Sequence, residues 1–464
     1  MNAPPHAIER LQAETGDLDW ITDESRVARL SQDFYWYSPV LKRQLDGKRA
    51  AAAVRPRTED EIRRLVGACA RFSVPITVRG SGTGNYGQAV PLRGGIVLDM
   101  SGYGAVLWSR PGIARAQAGI RLSDLEKACR DDRQELRAIP STWRSATLGG
   151  LFGGGFGGIG SINHGPLAAR GNVLGVKAIT VEPEPRTVEL RGAEALALHH
   201  LWGTNGLVLE IEAGLAPAHD WIETIAVFEG TDGFDRALSF CDVVARAPGI
   251  VKKEVSFYAA PIPDHLKQLE THLPRGCHAA IVAVAAASEE TLQACVAEFG
   301  GAVTYRKTAA EVAASNRTVL EFTWNHTTLH AMRVDKTLTY LQSAFTPGQH
   351  VEQVRRMEAL LGGPDGEVMM HCEFMRSLEG VPTCSALQLV RFTTEERLQE
   401  IMRIHRDNGV RINDPHVNVV EDSKAGGTLP AAAIDAKRRF DPLNLLNPGK
   451  ARTWSATPPG APLP

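Results

Sequence analysis

The chain carries seven cysteines in 464 residues, and no two of them form a Cys-x-x-Cys pair. Thiols scattered in this way exclude a zinc framework and a disulfide-stapled fold, and they fit a reducing, cytoplasmic compartment. Long apolar runs are missing as well. The longest, Ala279–Ala287, is too short to span a bilayer and reads as a buried strand. The opening Met1-Asn2-Ala3-Pro4-Pro5-His6 lacks the basic-then-apolar pattern of a secretory signal. Net charge is −2, and basic pairs such as Lys252-Lys253 are dispersed, so nothing points to nucleic acid. Low-complexity sequence is confined to Pro458–Pro464, a tail expected to fray. A chain of this length and ordinary composition is expected to form two or three domains.

What the chain has in quantity is glycine. Residues 79–88 read Arg79-Gly80-Ser81-Gly82-Thr83-Gly84-Asn85-Tyr86-Gly87-Gln88, and eight of the twelve residues from Gly149 to Gly160 are glycine. Glycine lets backbone approach a ligand closely, and successive exposed N–H groups form a nest that binds anions. Gly82 to Gly87 fits Gly-x-Gly-x-x-Gly, but that pattern means a dinucleotide fold only when a helix follows at once. Eight residues, three of them Pro91, Gly94 and Gly95, separate Gly87 from the strand expected at Ile96, so no crossover helix fits. A P-loop is excluded because no Gly-Lys-Ser/Thr follows. The remaining readings are purely steric turns, or loops that bind a pyrophosphate without a helix dipole. Two such loops flanking one α/β unit favour the second.

Regular α/β alternation begins at Ala51. Thr58 and Glu61 form a capping-box pattern, and Ile62, Leu65, Val66 and Cys69 follow at helical spacing. Strands are expected at Ile76–Val78 and Ile96–Met100, then at Ala114–Ala118, Val173–Val181 and Leu207–Ile211. Helices are expected at Leu122–Arg130 and Ala193–Trp202, with a boundary at Ala216-Pro217. Beyond residue 220 the texture changes. Strand-like stretches (Thr224–Phe228, Glu254–Tyr258, Ala279–Ala286, Glu367–Cys372, Ala386–Phe392) alternate with longer helices, the pattern of an antiparallel sheet covered by helices in an α+β fold.

From Val54-Arg55-Pro56 to Leu98-Asp99-Met100 the chain resembles the FAD-binding domain of the vanillyl-alcohol oxidase / p-cresol methylhydroxylase (PCMH-type) superfamily. The resemblance continues through Pro140-Ser141-Thr142, Ala146-Thr147-Leu148-Gly149-Gly150, Gly157-Gly158, Asn172–Val176 and Gly203–Glu210. It ends on Phe440-Asp441-Pro442 and Asn447-Pro448-Gly449-Lys450, and is nearest the glycolate oxidase subunit and D-lactate dehydrogenase branch. It implies a PCMH-type FAD-binding domain of two subdomains over 50–217 and a substrate (cap) domain over 218–434. An N-terminal extension, 1–49, would pack on the body, and a tail, 435–464, would return to the FAD domain. Arg79 to Asn85 would cradle the pyrophosphate. Pro140, Ser141, Thr147, Gly149 and Gly150 would line the ADP and ribityl parts, Gly157 and Gly158 the flavin, and Gly206 and Val208 the adenine side, with Asn447 closing the site. Neither 79–88 nor 140–163 contains His or Cys, so the FAD is expected to be non-covalent.

Oxidising an alcohol carbon needs a base for the hydroxyl proton, and histidine suits it. In the D-hydroxyacid branch a Glu-His-Gly element supplies a metal ligand and the base. Here Pro415 stands at the Glu position with His416 after it, and His371 stands alone where a histidine pair would complete the metal site. His416 and His371 are therefore the catalytic candidates, and no divalent metal is expected. The stretch Trp324-Asn325-His326-Thr327-Thr328-Leu329-His330 is a substrate-binding candidate, with Arg333 and Arg376 able to clamp a carboxylate. The expected activity is FAD-linked oxidation or dehydrogenation of a CH–OH group in a small molecule, a 2-hydroxy acid first. A phenolic or other alcohol, or a flavoprotein subunit needing a partner chain, are the alternatives. The electron acceptor stays open between O2, a quinone and a protein, as does assembly as a homodimer.

Overall fold

The computed structural model describes residues 6–424 and 426–463. Met1–Pro5, on which the signal-peptide reading rests, and Pro464 lie outside the described residues. Thr58 caps the helix Glu59–Phe72 through the Glu61 N–H at 3.2 Å, and the Ile62, Leu65, Val66 and Cys69 stripe is fully buried. That helix packs on a four-stranded sheet in the order Trp20–Ile21, Ala52–Val54, Ile96–Asp99, Ile76–Arg79. The last three strands are parallel, so the chain must cross over between them. The first crossover is the helix. The other strand end, after Arg79, returns to Ile96 through the first glycine loop.

A second sheet runs Val106–Arg110, Ile113–Gln117, Leu207–Pro217, Val173–Ile179, Thr187–Arg191, with Gln134–Leu136 also on the long central strand. The third sheet has eight antiparallel strands. Their order is Ala302–Lys307, Trp221–Phe228, His278–Ala285, Lys252–Tyr258, His371–Arg376, Pro382–Ala386, Gln342–Ala344, Arg411–Asn413. Its apolar alternation is buried on both sides. Gly233–Arg246 and His350–Leu361 cover one face through Phe240, Val244, Val354 and Met357. On the other face Ile225, Val227, Tyr258 and Ile281 pack on Ala331 and Met332 of the helix Asn325–Val334. The seven cysteines form no disulfide, and all but Cys295 are buried.

Several expectations are corrected. Ala193–Trp202 is not one helix: Ala193–Leu196 makes a single turn, after which His200 and Trp202 take φ of +53° and +55°. Their N–H groups donate to the carbonyls of Phe152 and Gly153 at 3.0 and 2.9 Å, so tertiary hydrogen bonds replace helical ones. The second glycine run is not all loop. Leu148–Gly154 is helical despite its glycines because Thr147 caps it, accepting from the Gly150 N–H at 3.2 Å. Ala386–Phe392 splits between two sheets at the buried Gln388, whose side chain is held by Ser343 and His405. The strand expected over Leu207–Ile211 runs on to Pro217. The proline-rich tail is anchored, with Gly460 and Leu463 N–H groups donating to Leu443 and Pro442 carbonyls at 2.8 Å each.

Candidate functional site

The two glycine runs meet across one cavity of about 1930 Å3, its open mouth included. Gly80 to Asn85 form one wall and Gly149 to Gly157 another, with Pro140, Ser141, Thr147, Gly206 and Val208 between them. The walls are close. A Cβ on Gly80 would lie 2.0 Å from the Thr147 hydroxyl oxygen, and one on Gly149 would lie 2.8 Å from the Ala118 Cβ. Gly153 faces open space, so backbone itself forms the surface there.

The electrostatics of this end suit an anion. None of the N–H groups of Ser81 to Asn85 has an acceptor among the described residues. Five consecutive free donors make a nest of the kind that holds phosphate oxygens. The Arg79 guanidinium lies beside it, bonded to the carbonyls of Gln32 and Ser81. Two more buried polar atoms without partners belong to cavity residues, the Trp202 indole nitrogen and Asn325 Oδ1. Such orphans are costly in a dry core, and a large polar ligand satisfies them. A cavity lined by a phosphate nest and by a glycine-backbone wall fits FAD.

Chain segments far apart in sequence close this end. Asp33 lines the cavity and accepts from the Tyr35 and Ala89 N–H groups at 3.0 and 3.1 Å. Burial pushes its carboxyl up to about 6, against the pull of Lys450. Lys450, fully buried on the Gly87 carbonyl, is brought down by burial to about 7. Asn447 does not line the cavity. It ties the walls together, its amide donating at 2.8 Å to both the Gln88 and Trp202 carbonyls. Gly158 is likewise a packing glycine, since a Cβ there would lie 2.1 Å from the Ile139 carbonyl oxygen.

The wall supplied by the third sheet and the start of the helix Asn325–Val334, called the cap side below, is built from Trp324, Asn325, Gln342, Ser343, Ser385, Ala386, Leu387 and Asn413. All are uncharged. Tyr86 crosses from the first loop to hydrogen-bond Gln342. Trp324, with φ +52°, sits where a bulky side chain costs about 1–3 kcal/mol. It starts the helix Asn325–Val334, and its ring lies 3.6 Å from where a Gly157 Cβ would be.

The other sequence candidates on this side lie off the cavity wall. His416 is buried 2.8 Å from the Ser38 hydroxyl and 2.9 Å from the Tyr340 carbonyl, so both ring nitrogens are engaged. Burial lowers it to about 4, and it stays neutral as a structural link. His371 sits one layer behind the wall, stacked on Tyr258, with Nε2 2.8 Å from Glu373. His326 bonds the Glu321 carbonyl, and His330 stacks on Phe322. Arg333 is exposed, and Arg376 closes its own hairpin on the Gly380 carbonyl. Neither arginine reaches the cavity to clamp a carboxylate. Among the described residues no three His, Cys, Asp or Glu groups come together to hold a metal.

One imidazole on the wall escapes sequence reasoning. His200 lines the cavity, and its Nδ1 lies 2.8 Å from Lys424 Nζ, which also donates to the His200 carbonyl at 2.9 Å. Burial brings Lys424 down to about 8 and holds His200 well below its ordinary value. The doublet His199-His200 before Trp202-Gly203 is the only sequence signal for it, and it reads as part of a helix.

Residues 50–189 match the FAD binding domain family. Over 432 residues, 86% of this chain and 88% of the other, the chain is 26% identical to the glycolate oxidase subunit GlcD of Bacillus subtilis. It is 26% identical over 205 residues to a D-lactate dehydrogenase of Archaeoglobus fulgidus, covering 42% of this chain and 45% of that one. The fold is shared with alkyldihydroxyacetonephosphate synthase at a TM-score of 0.69 and 15% identity, over 96% of this chain and 85% of that one. No helix among the described residues is long and apolar enough to cross a membrane. With the phosphate nest, the glycine-walled cavity and these likenesses together, residues 50–189 are a PCMH-type FAD-binding domain, and the chain is an FAD-dependent oxidoreductase similar to members of the FAD-linked oxidase superfamily.

Proposed function

We infer that the chain oxidises the carbinol carbon of a small hydroxylated substrate held between the second glycine run and the cap wall. FAD would be held by the N–H groups of Ser81 to Asn85 and by the second glycine run, and when bound it would supply a two-electron acceptor for the substrate's hydride. The observation that carries this reading is one cavity lined both by the phosphate nest and by hydroxyl and amide side chains from the cap. We place the FAD-binding part at 50–217 and the tail, and the substrate part at 218–434.

His200 is the proton acceptor in this reading. When Lys424 is an ammonium it donates to Nδ1, which leaves the proton on Nε2. When Lys424 is neutral, Nδ1–H donates to the amine, and the Nε2 lone pair can take the substrate hydroxyl proton once the ring gives up its contact with the Gly154 backbone. The Lys424 value of about 8 puts that exchange near working pH. Gln342, Ser343 and Asn413 orient the substrate through hydrogen bonds.

A 2-hydroxy acid is supported by the likeness to a glycolate oxidase subunit and a D-lactate dehydrogenase. The uncharged cap wall favours a second reading, an alcohol without a carboxylate. GlcD is named as a subunit, so electrons can pass on to a partner chain. The test is anaerobic mixing with D- and L-2-hydroxy acids and with neutral and aromatic alcohols, following the flavin band. Bleaching by hydroxy acids alone supports the first reading, and bleaching by alcohols alone the second. A flavin that no member of either class bleaches contradicts both.

A further inference from the structure

Behind Trp324 lies a polar cluster that the oxidation reading does not use. Ser256 and Glu373 are register partners on adjacent cap strands, with Glu254 two residues before Ser256 on the same face. Glu254 and Glu373 are 1% and 0% exposed. The Ser256 hydroxyl lies 3.2 Å from Glu254 and 2.5 Å from Glu373, and the two carboxyls are close enough to hydrogen-bond each other. No lysine or arginine pairs with either carboxyl among the described residues. The titratable groups facing the pair are His371 and Cys372 on the Glu373 strand, Tyr258 on the Glu254 strand and Cys241 on the covering helix. Both thiols and the phenol are held neutral by burial, and burial lowers His371 to about 3, so none of the four supplies a positive charge.

Both ends of Trp324 terminate on this pair. Its backbone N–H donates to Glu373, and its indole N–H donates to Glu254 at 3.2 Å. These bonds hold the tryptophan at its left-handed φ and set its ring against the second glycine run. Two like charges in contact without a cation cannot both ionise, so at least one carboxyl keeps its proton.

We propose that Glu254 and Glu373 form a proton-sharing carboxyl pair that positions Trp324 as the cap-side wall of the flavin cavity. The proposal rests on the cavity holding FAD. Glu254 carries the shared proton and Glu373 is the variable member. Burial pushes Glu373 up to about 7, so its proton leaves as pH rises through neutrality. An ionised acceptor binds the Trp324 N–H more strongly than a neutral one, and the wall tightens above neutral pH.

Two measurements on the FAD-loaded protein test this. Infrared difference spectra should show a protonated-carboxyl C=O band that persists above pH 7 and disappears in Glu254→Gln. The visible spectrum of the bound flavin should shift with one proton near neutrality. That shift should vanish in Glu373→Gln and stay near neutrality in Glu254→Gln, which replaces one neutral hydrogen-bonding group beside Glu373 with another. Trp324→Phe keeps the backbone N–H bond to Glu373 but presents a smaller ring to the second glycine run, so it should shrink the flavin shift and keep the carboxyl band. Absence of the band in the wild type overturns the proposal, as does a flavin shift that persists unchanged in Glu373→Gln. The infrared band needs neither substrate nor turnover, so a failure of the oxidation reading leaves it intact.

Discussion

Gly80→Ala isolates the contact that joins the two glycine walls. Gly80 has no positive φ, so the substitution adds no backbone strain and its effect is steric. The new methyl would lie 2.0 Å from Thr147 Oγ1 and 3.2 Å from Thr147 Cβ. Thr147 must rotate or the first loop must move. Rotation removes the cap on Leu148–Gly154, worth about 1 kcal/mol, and overpacking adds about 1–3 kcal/mol. The expected loss is about 2–4 kcal/mol, split between stability and FAD affinity. If half falls on binding, the FAD Kd rises roughly five- to thirtyfold. Thr147→Ala alone costs about 1 kcal/mol through the cap. In the double variant the hydroxyl clash is gone, so the two changes should cost less together than the sum of the singles, by at least about 0.5 kcal/mol. Thermal unfolding and FAD titration by flavin fluorescence measure both. Strict additivity, or a Gly80→Ala protein that binds FAD like the wild type, refutes the argued wall contact.

His200→Gln should lower flavin reduction by substrate about 10²- to 10⁴-fold, while His416→Gln, which changes a structural link, should leave it within about tenfold and lower Tm instead; rapid-mixing absorbance and calorimetry separate them. Turnover should rise with pH through about 8 as Lys424 loses its proton and frees His200, and Lys424→Met should remove that limb of the profile. An unchanged limb in that variant contradicts the pair. FAD should leave the protein on acid precipitation, since no cysteine lines the cavity and the one lining histidine, among the described residues, faces Lys424; yellow colour kept in the pellet contradicts this.

The first glycine wall is legible in the sequence because a strand, a glycine loop and a second strand after eight residues leave no room for a helix. The helix after Thr58 is equally plain, since a cap and an apolar stripe agree. The cap side is not legible in the same way. His371 and His416 are chemically apt, but sequence spacing does not say which layer of a sheet a residue occupies, and both are satisfied behind the wall. His200 is hidden for the opposite reason. The Ala193–Trp202 run has helical composition, and only hydrogen bonds to Phe152 and Gly153 turn it into the left-handed corner that presents His200. Asp33 and Lys450 lie more than 400 residues apart in the chain and meet only because the N-terminal segment and the tail both close on the first loop.

The most direct test of the central claim is an experimental structure of the protein loaded with FAD. The account predicts the pyrophosphate on the N–H groups of Ser81 to Asn85 and the isoalloxazine between the second glycine run and Trp324, with His200 beside it. FAD bound elsewhere, or a cavity that takes up none, would contradict it.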